Sequence, residues 1–127
     1  MKSVVSLTVL VAAAGMLTVW TARAAEGKPE VKKEEAKEVT VTGEVLDLGC
    51  FIDHGAKGEK HADCAKKCIA SGLPVGLQDK DGKVFLLIGD HKPMNAELAE
   101  HAAKTITVKG KLVQREGLSM IENAVIQ

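Results

Sequence analysis

VTVTGEVLDLGCFI, residues 39–52, is the stretch that decides the fold class. Val39, Val41 and Val45 keep one alternation, while Leu46, Leu48, Cys50 and Ile52 keep the other. Alternation of β-branched and apolar residues with a period of two marks a half-buried strand. The change of phase near Val45 predicts one long strand with a bulge or bend, eased by Gly43, that ends near Cys50. Residues 51–59 carry two glycines among polar residues, which predicts a loop.

Downstream, a short helix is expected over residues 63–70, with Asp63 as its N-cap and Ser71-Gly72 and Pro74 as its stop. Residues 75–78 and 83–88 flank Asp79-Lys80-Asp81-Gly82 and predict a hairpin, with Gly82 supplying the left-handed turn position. After a loop over 89–94, Asn95 is expected to cap a second helix that runs to about residue 104, with Leu98 and Ala102 on one face. Ile106, Val108, Gly110 and Leu112 alternate with polar residues. The run over 118–126 follows the Arg115-Glu116-Gly117 turn, so the two predict another hairpin.

The expected fold class is mainly β with two short helices, an OB-type five-stranded barrel carrying a Cys/His insertion at residues 50–72. VTVTGEV (39–45) and TITVKGKLV (105–113) resemble the first and fourth strands of small exported bacterial OB-fold proteins. The resemblance implies a barrel with a helix between its third and fourth strands. Barrels of this type hold oligonucleotides, saccharides or proteins, so the resemblance does not choose a function. This chain departs from the nucleic-acid-binding members in lacking their aromatic and basic face.

The beginning of the chain speaks to its compartment. Lys2 precedes an apolar run over 4–20, and Ala22-Arg23-Ala24 gives the small-x-small pattern of a cleavage site, so residues 1–24 are expected to be a signal peptide. A retained membrane anchor is the alternative, for which the run is short. Residues 25–38 (AEGKPEVKKEEAKE) are expected to be a charged, disordered spacer, because they bury too little to offset the entropy of ordering. That leaves 39–127 as one domain in a periplasmic or secreted protein, with no membrane contact after cleavage.

Charge narrows the partners. Without Lys2 and Arg23 the 17 basic side chains fall to 15, against 17 acidic ones. Nucleic-acid binding rests on neutralising phosphates and on aromatic stacking. With Trp20 removed only Phe51 and Phe85 remain, and there is no tyrosine, so nucleic acid is not an expected partner. No glycine-rich phosphate loop or nucleophile elbow is present either, and an enzyme is not expected.

The chemistry lies in CFIDHGAKGEKHADCAKKC, residues 50–68, which holds all three cysteines and two of the four histidines. Cys64 and Cys68 stand four apart on the expected helix, so both thiols leave one face. Cys50 supplies a third thiolate if the loop folds back, and His61 or His54 a fourth ligand, His61 being preferred because it precedes the cap. Three cysteines and one histidine make a closed zinc site, and thiolate-rich sites also select copper(I). One Zn or Cu ion is therefore the expected cofactor and partner. The competing expectation is a ligand- or protein-binding OB module that binds on its barrel face and is stapled by a disulfide from Cys50 to Cys64 or Cys68, favoured by an oxidising compartment, with one cysteine left over. A redox-active thiol pair has no Cys-x-x-Cys motif behind it. Lys66 and Lys67 are expected to face water, with a charge that favours nearby thiolates. His91 is expected to be a solvated loop residue.

Overall fold

The computed structural model describes residues 36–127, so the expected signal peptide and residues 25–35 of the expected spacer lie outside the described residues. In chain order the elements are β1 (Lys37–Asp47), α1 (Leu48–His54), a 3-10 turn (Glu59–His61), α2 (Ala62–Ala70), β2 (Val75–Asp79), β3 (Val84–Leu87), α3 (Asn95–Ala99), β4 (Thr105–Arg115) and β5 (Leu118–Ile126). The strands close into a barrel in the order β1-β2-β3-β5-β4. All neighbours are antiparallel except β3 and β5, which run parallel. Mainly β with a closed five-stranded OB-type barrel is thus the observed class, with three short helices in place of the two expected.

β1 is the strand that makes closure possible. Its first part pairs with β4 from Lys37 to Glu44 and its last part with β2 from Gly43 to Asp47. Gly43 sits where both neighbours pair at once, and a Cβ there would run into the Gln78 carbonyl. The strand already begins at Lys37, inside the stretch expected to be spacer. Both registers of β1 are unbroken, so of the bulge or bend expected near Val45 the bulge is absent, and the register shift lies between Lys109 and Lys111 of β4. The phase change has a different cause. Val45 and Leu46 point to opposite faces, and both are buried, because both faces of β1 are covered at that end.

The largest departure concerns residues 48–54. They form α1 and not the end of the strand, so Cys50 lies on a helix. The alternation of Leu46, Leu48, Cys50 and Ile52 does not reflect a sheet face, and Ile52 is 76% exposed. Asp47 turns the chain: its carboxylate accepts from the amides of Gly49 (3.0 Å) and Cys50 (3.3 Å), two of the donors a helix leaves unpaired in its first turn. Gly55, at φ 71°, ends the helix in the left-handed conformation, its amide donating to the Phe51 carbonyl.

Two further caps differ from expectation. α2 begins at Ala62 with His61 in the cap position, so Asp63 is in the first turn and does not cap it. α3 is capped at Met94 and ends at Ala99, continuing only as turns toward Lys104. Asn95 instead donates from Nδ2 to the carbonyls of Ile69 (2.8 Å) and Leu73 (2.7 Å), tying α3 to the end of α2.

The core runs through the barrel and out to these helices. Val45, Leu77, Phe85, Val108 and Ile121 from the strands share one buried cluster with Ala65 and Ile69 of α2 and Leu98 and Ala99 of α3. Ala102, just past α3, belongs to the same cluster. Apolar burial of this kind contributes about 25 cal/mol per Å² removed from water, and it fixes α2 against the barrel. The position of the cysteines follows from that anchoring.

Candidate metal centre

α2 buries Ala65 and Ile69 and leaves Cys64 and Cys68, one turn apart, on a different part of its surface. α1 delivers Cys50 from the other side. Its start is tied down by the Leu48 amide, which donates to the Pro74 carbonyl at 3.0 Å, just past the end of α2. The Sγ atoms of Cys50, Cys64 and Cys68 consequently lie within 4.8 Å of one another. Cys64 is exposed, and the other two are half-buried.

All three are free thiols. The expected disulfide from Cys50 to Cys64 or Cys68 is therefore not formed, and this corrects the alternative drawn from the compartment. A covalent bond requires sulfurs about 2.0 Å apart. By contrast, tetrahedral zinc at about 2.3 Å from each sulfur sets its ligands about 3.8 Å from one another. The observed separations, all within 4.8 Å, leave room for the second arrangement.

A second trio overlaps the first. Single ligand atoms of Asp47, Cys50 and His61 also lie within 4.8 Å of one another, so the Cys50 sulfur belongs to both groups. His61 closes the 3-10 turn, its amide donating to the Gly58 carbonyl at 2.9 Å. Its Nε2 is buried with no hydrogen-bond partner among the described residues. A buried ring nitrogen without a partner is costly, and a metal ion is one way to satisfy it.

His54 is in neither trio. It ends α1, its Nδ1 lies 3.1 Å from an Asp53 carboxylate oxygen, and its ring meets that of His61 edge-on with centroids 6.4 Å apart. The structure thus separates the two histidines offered by the sequence. His91 pairs with Glu122 at 3.3 Å and is also in neither trio.

The electrostatics centre on Asp47, whose side chain is almost fully buried. Burial alone would raise its carboxyl, but hydrogen bonds from the Cys50 thiol, the Gly49 and Cys50 amides and the Cys68 thiol hold it below its ordinary value. The carboxylate acts in return on the thiols. Its hydrogen bond, then burial, push Cys50 up to about 12. Burial, then the hydrogen bond with Cys64, raise Cys68. Both shifts run opposite to the direction expected from the neighbouring lysines, and Lys66 is engaged with Glu100 of the turn after α3 at 2.8 Å. Loading an ion must therefore expel thiol protons, as thiolate ligation generally does.

Asp47 is the site residue that sequence reasoning missed. The signal was present as an Asp directly before Leu-Gly-Cys, the pattern of an N-cap, but it was masked by apolar alternation that continued across it. Comparison of the chain with protein-family models, with curated proteins and with solved structures yields no match.

Proposed function

We propose that this protein is an exported binder of a thiophilic transition-metal ion, zinc or copper(I), held by Cys50, Cys64 and Cys68. The observation that carries the proposal is the convergence of three free sulfurs within 4.8 Å of one another from two separate helices. Thiolate-rich sets of this type select zinc and copper(I) over the hard cations that prefer oxygen. The signal-peptide pattern at the start of the chain supports a periplasmic or secreted location.

The role of a carrier fits better than that of a structural staple. None of the cysteines belongs to the buried barrel cluster, so the core closes without help from the ion. The exposed Cys64 gives an incoming ligand direct access to the centre. Native mass spectrometry before and after a chelator tests the proposal. The expected result is the loss of ion mass with the appearance of three thiols open to alkylation. A chain without bound metal under zinc and copper(I) loading, with three freely reactive thiols throughout, would refute it.

A further inference from the structure

We propose that the centre holds two divalent ions bridged by the Cys50 thiolate, one completed by Cys64 and Cys68 and the other by Asp47 and His61. The inference rests on the metal-binding reading above and goes beyond it in number, ligands and bridging chemistry. Its basis is the sharing of a single sulfur by two trios, each compact enough for one ion.

The second trio has the features of a ligand set. His61 presents a buried Nε2 with no partner among the described residues, and neutral imidazole nitrogen is a standard zinc ligand. Asp47 is 1% exposed, and its two oxygens each accept one backbone amide, from Gly49 and from Cys50. A carboxylate has about four lone-pair sites, and the two taken by the Cys50 and Cys68 thiols are freed for an ion when ligation expels those thiol protons. The two amides also fix the direction of the carboxylate, which is how outer hydrogen bonds orient metal ligands.

Charge supports two ions over one. Three thiolates and one carboxylate bring four negative charges together in a partly buried place, with His61 neutral. One divalent ion leaves two of them uncompensated, and two divalent ions balance all four. Uncompensated buried charge is strongly disfavoured. The same count points to zinc or another divalent ion, because two copper(I) ions would leave the centre negative. Each ion then has three protein ligands and keeps one coordination position for water or an incoming donor.

The test is native mass spectrometry of the full chain titrated with zinc, alongside His61→Gln and Asp47→Asn. The expected result is two zinc ions on the unchanged chain and one on each variant. Since Asp47 also caps α1, the His61→Gln chain, checked for folding by circular dichroism, decides the matter. One zinc ion on the unchanged chain at saturation, or two retained by a folded His61→Gln chain, would overturn the second position while leaving the three-cysteine centre standing. No bound zinc in any chain would overturn both.

Discussion

The barrel and the segment from Leu48 to Leu73 treat their polar groups in opposite ways. In the barrel, backbone donors and acceptors meet in ladders, and the interior is filled by Val45, Leu77, Phe85, Val108 and Ile121. Beside the helical segment, Asp47 is a buried carboxylate, His61 has a buried nitrogen without a partner, and three thiols face one another. A fold whose polar groups meet in ladders holds its shape alone, whereas thiols gathered around a carboxylate and an unpartnered ring nitrogen are suited to binding. Stability and function are therefore separable in this small domain, and substitutions in the two regions should have different consequences.

The largest stability loss is expected in the core. Leu98→Ala removes a fully buried side chain where α3 meets the barrel cluster, and such truncations cost about 2–5 kcal/mol. Urea unfolding should show it, with the metal affinity of the folded fraction unchanged. Asp47→Ala crosses the boundary between the regions. Loss of the cap should cost about 0.5–2 kcal/mol, and loss of the carboxylate should empty the second position and weaken binding at the three-cysteine position by about 10–100-fold. Denaturation and competition with a chromophoric chelator measure the two effects separately.

Asn95→Ala removes two hydrogen bonds, to the carbonyls of Ile69 in α2 and of Leu73 just past it, each worth about 0.5–1.5 kcal/mol. It should loosen the end of α2 near Cys68 and speed amide exchange there before it affects the strands. The smallest stability effect is expected from Cys64→Ser. The side chain is exposed, so the change should stay within about 0.5 kcal/mol, yet the ion should be held less tightly and released faster to a chelator. If Cys64→Ser destabilised the domain as much as Leu98→Ala, the division between the two regions would fail.

The same division explains what the sequence disclosed. The hairpins were legible because their signals are local. Alternation in 75–78 and 83–88 brackets Asp79 to Gly82, and Gly82 indeed adopts φ 81°. Leu98 and Ala102 were expected on one face, and both are buried. α1 was hidden because Leu46, Leu48, Cys50 and Ile52 are spaced by two, which imitates a strand until the Asp47 cap is recognised. Capping itself depends on tertiary context. Asp63 and Asn95 are good cap types, but α2 begins earlier than expected and Asn95 is recruited to α2 instead.

The clustering of Cys50 with Cys64 and Cys68 was expected from their closeness in sequence, but the route was not. A helix capped by Asp47, and not a strand end with a returning loop, brings Cys50 across. That difference added a carboxylate to the centre, which no spacing rule for cysteines and histidines would include.

X-ray absorption at the edge of the bound metal tests the thiolate centre most directly, because it reports ligand type and distance at the ion itself. For the zinc-loaded chain the expected result is a shell dominated by sulfur at about 2.3 Å, with a smaller contribution from nitrogen or oxygen near 2.0 Å. A shell of nitrogen and oxygen alone would contradict a metal centre built on Cys50, Cys64 and Cys68.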